Sequence, residues 1–166
     1  MASIVLSSTT VISESGGTAS IADGVNFPAG HVLQQKRIVD STYVANDTTS
    51  WNTIYSGIQI TNVTSGSKVI IQACIAHLVE GNGQGAFKII RASDSTVLAH
   101  SQHSTGGNGS WRAIMPTIIA EDTTPSVGTN NYTLQMKSTG MTMYYNYHNA
   151  THEGTRSFYL LSEVTQ

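Results

Sequence analysis

Residues 132–137 read Tyr-Thr-Leu-Gln-Met-Lys, and this stretch decides the fold class. The apolar side chains at 132, 134 and 136 alternate with polar ones at 133, 135 and 137, which is the period-two pattern of a β-strand buried on one face. A step ending in Gly140 and the aromatic run 141–147 follow. We expect these two runs to form a β-hairpin whose turn is supplied by Gly140.

Strand patterns recur on both sides of this segment at intervals of about 8 to 12 residues, which is typical of a β-sandwich or barrel. The predicted strands are 31–39, 53–61, 68–79, 86–92, 96–101, 111–120, 131–137, 141–147 and 157–164. The run 68–79 is apolar on both faces and is expected at the centre of a sheet. The glycine-rich stretches 80–85 and 105–109 are expected to be loops. No window shows sustained helical periodicity, so the chain is predicted to be all-β.

Composition limits the classes of partner. The chain has 166 residues, enough for one domain, and a formal net charge of -2 with 11% charged residues, so no basic surface for nucleic acid is indicated. No apolar stretch approaches the roughly 20 residues of a membrane span, and residues 1–11 lack the Lys or Arg of a signal peptide. We expect synthesis in a cytoplasm, no membrane partner, and a buried free thiol at Cys74.

Residues 1–30 are predicted to be an N-terminal arm, and residues 31–166 the body. The arm contains two small apolar clusters, and Phe27 precedes the Pro28-Ala29-Gly30 step that ends it. The clusters are Ile4, Val5 and Leu6, then Val11 and Ile12. Such a segment cannot bury its apolar residues against itself, so we expect it to pair as a strand elsewhere or to dock on a partner.

The histidines and the carboxylates give no convincing reactive site. His100 and His103 would point to opposite faces of a strand, and the other close pair, His148 and His152, is more typical of an exposed loop than of a metal site. The acidic residues lie mostly in predicted turns, and Asp94 is expected in a hairpin turn. Neither a nucleophile motif nor a phosphate loop is present. We therefore predict no catalytic residue, no metal and no cofactor.

The aromatic residues leave two interpretations open. Tyr144, Tyr145 and Tyr147 are close to one another in the sequence. Trp51, Tyr55 and Trp111 are further aromatic residues of the chain. Aromatic side chains are enriched both in cores and at subunit interfaces. The three tyrosines are therefore expected to belong to the core or to form a trimer interface or, as the alternative, to form a surface that stacks on glycans.

The order of several local segments resembles the β-sandwich modules of tailed-bacteriophage virion proteins, found in capsid cement (decoration) proteins and in the heads of tail or head fibres. The resemblance covers about residues 27 to 164. The segments that carry it are 27–34, 40–43, 58–61, 67–72, 87–91 and 157–164. It implies a jelly-roll-like antiparallel β-sandwich, a homotrimer and attachment to the virion. Fibre relatives carry long upstream shafts that are not seen here, which favours a cement protein.

The resemblance implies a role for the arm. Ile4, Val5, Leu6, Val11, Ile12 and Phe27 would contact the major capsid protein, by adding a strand to an exposed sheet edge. Bound trimers on the capsid surface would then stabilise the shell by mass action. A fibre head that binds a host receptor or glycan is the alternative, and an enzyme is not expected.

Overall fold

The computed structural model describes residues 3–6, 9–15, 18–21, 28–105, 111–147 and 155–166, the first three ranges as backbone strands only. Within these ranges all regular structure is β, and no helix long and apolar enough to cross a membrane occurs. The strands are β1 (Ser3–Leu6), β2 (Thr9–Ser15), β3 (Thr18–Ile21), β4 (Val32–Asp40), β5 (Val44–Asn46), β6 (Asn52–Val63), β7 (Ser67–Cys74), β8 (His77–Arg91), β9 (Val97–Thr105), β10 (Arg112–Ile114), β11 (Thr117–Asp122), β12 (Gly128–Tyr145) and β13 (Ser157–Thr165).

The eight long strands of the body form two antiparallel sheets. One sheet has the order β4-β13-β7-β11, and the other has the order β6-β12-β8-β9, with β5 and β10 pairing to the far ends of β12 and β8. Except at the β8–β9 hairpin, consecutive long strands therefore alternate between sheets, which is the double Greek-key arrangement of a jelly roll. The predicted jelly-roll-like antiparallel β-sandwich is confirmed.

Strands β8 and β12 form one long ribbon rather than two hairpins. The pairing runs from Tyr132 opposite Arg91 to Tyr145 opposite His77, with a register shift between Thr139 and Met141. The predicted hairpin turn at Gly140 is therefore wrong. Gly140 has a φ of 75° and lies opposite a β-bulge of β8 inside a continuous strand, because both halves of β12 pair with β8 and not with each other.

The bulge also changes which residues face the core. Before it, the alternate positions Tyr132, Leu134 and Met136 are fully buried, as the sequence predicted. After it, the buried positions have the opposite parity, namely Met141, Met143 and Tyr145. Between the pairs Thr139–Gln84 and Met141–Gly81, β12 has one residue where β8 has two, so the alternation of β12 changes phase at Gly140. The bulge thus keeps apolar side chains inside along the whole strand.

The glycines that were predicted to form a loop at 80–85 lie inside β8. They are needed where β8 and β12 approach each other: a Cβ on Gly83 would lie 2.0 Å from the carbonyl oxygen of Thr139, and one on Gly85 would lie 2.4 Å from the sulfur of Met143. Gly81 has a φ of 101°, a conformation that side chains disfavour. The loop prediction was wrong because these glycines, which have no side chain, allow the two strands to pack closely.

The ribbon bends sharply at these glycines. The rings of His77 and Phe87 lie 4.8 Å apart, although both residues belong to β8. A straight strand would separate them by roughly 33 Å, at about 3.3 Å per residue. The two ends of the ribbon therefore face each other across the core.

The run 68–79, predicted as one central strand, is divided between the two sheets. β7 does lie centrally, between β11 and β13, but it ends at Cys74. Ile75 and Ala76 then cross to the other sheet, and the Ile75 amide donates to the carbonyl oxygen of Pro116 at 3.0 Å. Cys74 is a free thiol, as predicted, but it is only half-buried because its β7 position faces outward.

A buried ion pair ties three strands together. Asp122 on β11 is fully buried and accepts hydrogen bonds from the guanidinium of Arg91 on β8 and from the hydroxyl of Tyr132 on β12, the latter at 3.1 Å. Burial, followed by the Asp122 charge, raises the pKa of the Tyr132 hydroxyl. Asp94 occupies the β8–β9 hairpin turn, as predicted, and its carboxylate accepts from the Thr96 amide at 3.0 Å.

The N-terminal arm contains strands that its sequence did not suggest. β1, β2 and β3 form a three-stranded antiparallel sheet in which β2 is central, and Ile4 pairs with Ile12. The backbone of the arm thus pairs with itself, whereas pairing elsewhere or on a partner was expected. At the end of the predicted arm, Gly30 has a φ of 84° and the His31 amide donates to the Pro28 carbonyl oxygen, which forms the expected turn.

Substituting Gly83 with Ala is expected to lower the free energy of unfolding by about 3 kcal/mol, because the added methyl would collide with the Thr139 carbonyl group and force β8 from β12. Urea denaturation followed by tryptophan fluorescence measures the change. Gln84→Ala, at the exposed neighbouring position, is the matched control and should change stability by less than about 0.5 kcal/mol. Equal stability of Gly83→Ala and the native protein would contradict the close approach.

Candidate ligand-binding surface

The three tyrosines predicted to share a surface do not point the same way. Tyr145 is fully buried, and its hydroxyl donates to the carboxylate of Asp40 at 2.6 Å and lies 2.7 Å from the hydroxyl of Tyr159. Burial and the Asp40 hydrogen bond raise the pKa of Tyr145. Tyr145 is therefore a core residue that joins the two sheets, and it is not part of an interface or a glycan surface. Tyr144, one position earlier, faces outward.

Tyr144 and Tyr147 belong to a surface cluster that also contains Tyr43 and Trp111, here called the four-ring cluster. The Tyr144 ring stacks on Trp111 with centroids 5.2 Å apart and planes 23° apart, and on Tyr43 at 6.3 Å and 19°. Tyr147 packs against Trp111 at 5.4 Å and against Tyr144 at 5.5 Å. Trp111 is 49% exposed and Tyr43 is 44% exposed.

Three separate segments supply these rings. Tyr43 precedes β5, Trp111 precedes β10, and Tyr144 lies near the end of β12. β5 and β10 flank the ribbon because they pair with the ends of β12 and β8, and this pairing brings the rings together. Tyr43 was missed by sequence reasoning, since nothing local distinguishes it from an ordinary loop tyrosine.

A carboxylate lies beside the four-ring cluster. The Tyr144 hydroxyl donates to Glu80 at 2.7 Å, and this hydrogen bond, with burial, raises the pKa of Tyr144 to about 12. Tyr144 is therefore a neutral hydrogen-bond donor at physiological pH. Glu80 also lines a shallow depression of about 470 Å³, together with Asp47, Gly140, Met141 and Thr142. Aromatic faces and hydrogen-bonding oxygens thus adjoin each other on this surface.

Trp51 and Tyr55 lie away from the four-ring cluster. Tyr55 stacks on the buried Tyr159 at 5.4 Å and packs against the core. Trp51 precedes β6 and lies on the outer face of the sheet, near the middle of β12. Its ring is 4.5 Å from the ammonium group of Lys88 and 4.9 Å from that of Lys137.

The predicted attachment residues are placed only in part. Ile4, Val5 and Leu6 lie on β1, and Val11 and Ile12 lie on the neighbouring β2, so the two apolar clusters are on adjacent strands. Phe27 lies outside the described residues. Their role in attachment stays a prediction.

The histidines form a pair that the sequence did not suggest. His100 and His103 point to opposite faces, as expected, and His103 meets His77 with the two Nε2 atoms 3.4 Å apart. His148 and His152 lie outside the described residues. Among the residues that are described, no group of three or more His, Cys, Asp or Glu side chains could hold a metal ion. Two histidines alone leave a zinc site incomplete.

The His77–His103 pair is adapted to the neutral state. The Nδ1 atoms of both rings are buried without a hydrogen-bond partner. Burial, and next the neighbouring His103, lower the pKa of His77 from 6.5 to about 3, and burial also lowers the pKa of His103. A neutral pair fits this contact because one Nε2–H can donate to the other Nε2, whereas two imidazolium ions would repel each other.

Comparisons with known proteins give weak likenesses only. No protein-family model matches the chain, and no curated protein matches it. The C-terminal CBM6 of LamC, a marine laminarinase from Zobellia galactanivorans, is 18% identical with a TM-score of 0.34, covering 78% of this chain and 99% of that chain. The carbohydrate-binding module CBM6cm-2 of Cellvibrio mixtus lichenase 5A is 16% identical with a TM-score of 0.33, covering 83% and 92%.

A viral structure is similar to the same degree. In a structure of infectious bursal disease virus, Gx strain, the matching chain is 12% identical with a TM-score of 0.32, covering 99% of this chain and 46% of that chain. The predicted relation to tailed-bacteriophage proteins has no family match to support it. The function has to be derived from the residues of the surface itself.

Stability is expected to fall as the pH decreases from 7.5 to 5. The folded protein holds His77 and His103 neutral, whereas the unfolded chain binds protons at a pKa near 6.5, so the stability is fully present above that value and is lost below it. One such histidine contributes about 2 kcal/mol of loss by pH 5. Urea denaturation at the two pH values measures this loss.

The double variant His77→Gln/His103→Gln should show a much smaller difference in stability between pH 7.5 and pH 5. His100→Gln removes an exposed histidine and is the control, which should keep the native pH dependence. An unchanged pH dependence in the double variant would show that the buried pair is not the titrating element.

Proposed function

We propose that this chain is a non-enzymatic glycan-binding β-sandwich whose four-ring cluster stacks on sugar rings. The observation that carries the proposal is the exposed stack of Tyr43, Tyr144 and Trp111 beside the carboxylate of Glu80. Sugar rings present apolar C–H faces and polar edges, so a ligand surface for them needs aromatic planes next to hydrogen-bonding groups.

The exposure of the rings favours a binding role. Aromatic side chains stabilise a fold when they are buried, yet Trp111 keeps 49% of its surface accessible while it packs against other rings. The cluster is held together by its own stacking, so its side chains lose little further freedom when a ligand binds. Exposed apolar groups gathered in one place mark interaction sites more often than scattered ones do.

The polar groups suit the hydroxyl groups of a sugar. Glu80 accepts from Tyr144 through one oxygen and retains acceptor capacity on its carboxylate, and Asp47 lines the same depression. We propose binding without hydrolysis, because glycoside cleavage uses two carboxylates that flank the bond as acid and base or nucleophile. Here Glu80 already accepts from Tyr144, and the depression is shallow.

Trp111→Ala should weaken glycan binding at least tenfold, because it removes the ring that stacks on Tyr144. The native protein is screened on a glycan array, and the affinity for the best ligand is then measured by titration calorimetry. Trp111→Phe should retain most of the affinity, and Ile119→Ala, an exposed apolar position on the other sheet, should leave it unchanged. The absence of any saturable glycan ligand, or full affinity in Trp111→Ala, would overturn the proposal.

A second candidate function is a tailed-bacteriophage capsid cement protein, made in the host cytoplasm and carried on the virion surface. The observation that favours it is the three-stranded arm sheet, in which β1 and β3 are edge strands with no further partner among the described strands. Edge strands accept additional strands from other chains. We propose that this edge, with Ile4, Val5, Leu6, Val11, Ile12 and Phe27, attaches the protein to the major capsid protein.

The outer face of the sheet β4-β13-β7-β11 supports the homotrimer of this second proposal. Ile119 is 64% exposed, and Val39 and Phe158, which lie opposite each other on β4 and β13, are 45% and 40% exposed. Half-buried Leu160 and Ile70 lie among them on the same face. Covering this apolar face with another copy of the chain would remove it from water.

Deleting residues 1–26 is expected to leave a folded trimer that no longer binds capsids, because the attachment edge is gone while the outer sheet face remains. Sedimentation equilibrium should give three times the mass of the respective chain for both the full-length protein, whose chain mass is 17.7 kDa, and the shortened protein. Co-sedimentation with shells measures attachment. Full decoration by the shortened protein would contradict the docking role, and a monomeric native protein would contradict the trimer.

A further inference from the structure

We propose that the outer face of the sheet β6-β12-β8-β9 contains a second subsite, which binds the carboxylate or sulfate group of an acidic glycan. Trp51, Lys88, Lys137 and His100 form this subsite, here called the cationic patch. The inference rests on the proposed glycan-binding function and deepens it, because it specifies an acidic polysaccharide as the ligand class.

The strand register places the members of the cationic patch on one face. Lys88 lies opposite His100 on β9 and opposite Gln135 on β12. Lys137 pairs with Ala86, which is two residues from Lys88 on β8, so the two lysines are diagonal neighbours. The four members of the patch have an intermediate or high exposure. The side chains therefore project together from the outer side of the sheet.

The indole of Trp51 holds both lysines. Their ammonium groups lie 4.5 Å and 4.9 Å from the centre of the same ring, and the His100 ring meets Trp51 edge-on at 5.5 Å. A cation–π contact positions an ammonium group without neutralising its charge. The two ammonium groups are therefore held close together, because their separation cannot exceed the sum of their distances from the ring centre.

No carboxylate of the described residues balances the two charges. The ion pairs in this part of the chain are Lys68–Glu121, Arg91–Asp94 and Arg91–Asp122, and none includes Lys88 or Lys137. The neighbouring polar side chains are neutral: Gln102 donates to Gln84, and Gln135 donates to Thr53. In a chain with 8 Lys and Arg residues in total, two unpaired cations on one ring are a local concentration of charge. An anion placed between them would remove their mutual repulsion.

The surroundings of the patch favour a glycan over other anions. Lys137 and Tyr144 both point outward from β12, but the bend of the ribbon lies between them and turns the two outer surfaces away from each other. The patch and the four-ring cluster would therefore bind different parts of one polymer. Neutral amide groups of Gln84, Gln102 and Gln135 surround the lysines and suit the hydroxyl groups of the same ligand.

The test uses the full chain and three soluble polymers: polygalacturonate, which carries carboxylates, dextran sulfate, which carries sulfates, and unmodified dextran. Binding is measured by biolayer interferometry at low and moderate salt. Native protein should bind one of the two acidic polymers at least tenfold more tightly than dextran, and the preferred polymer identifies the anionic group. Lys88→Gln/Lys137→Gln should lose this preference at least tenfold. Arg37→Gln/Lys68→Gln removes the same charge from the other sheet and should keep it.

The outcomes separate this proposal from the proposed function. Loss of acidic-polymer binding in Lys88→Gln/Lys137→Gln, with full binding in Trp111→Ala, would support the patch and overturn stacking at the four-ring cluster. Equal losses of binding in Lys88→Gln/Lys137→Gln and in Arg37→Gln/Lys68→Gln would overturn the patch in favour of general charge attraction. Equal affinity for polyglutamate or duplex DNA would overturn the glycan class. Native melting temperatures in all variants ensure that folding is not the cause.

Discussion

The backbone of β8 passes so close to β12 at Gly83 that a Cβ atom there would lie 2.0 Å from the Thr139 carbonyl oxygen. The bend of the ribbon depends on this approach, together with the positive φ values of Gly81 and Gly140. Because the ribbon bends, its two ends enclose one core, and His77 at one end packs against Phe87 toward the other. The jelly roll closes around this central pair of strands, to which β5, β6, β9 and β10 add.

The bend also determines which side chains meet on the outer surface. β10 and β5 pair with the ends of β8 and β12 beyond the bend, and they bring Trp111 and Tyr43 to either side of Tyr144. β6 and β9 pair with the part before the bend, and they bring Trp51 and His100 to the lysines. Each surface cluster thus needs side chains from the ribbon and one from each of two flanking segments.

Sequence reasoning reached the all-β class and the buried face of β12, since both depend on alternation within a few residues. It failed at Gly140 because a hairpin turn and a β-bulge leave the same local signal, a glycine at which the alternation changes phase. The choice between them depends on β8, which is more than fifty residues away along the chain. The glycines of β8 were assigned to a loop for the same reason. Tyr145 could have been separated from Tyr144, because the phase set by Met141 and Met143 already places it inside.

The clusters on the surface were not predictable in this way. Tyr43 meets Tyr144 only because β5 pairs with β12, and Trp51 reaches His100 only because four strands lie in a fixed register. The same register has a further consequence at the bulge. Lys137 and Tyr144 are seven positions apart, so a regular strand would place them on opposite faces. The change of phase at Gly140 brings both outward, and the bend of the ribbon between them then directs the aromatic and the cationic surfaces away from each other.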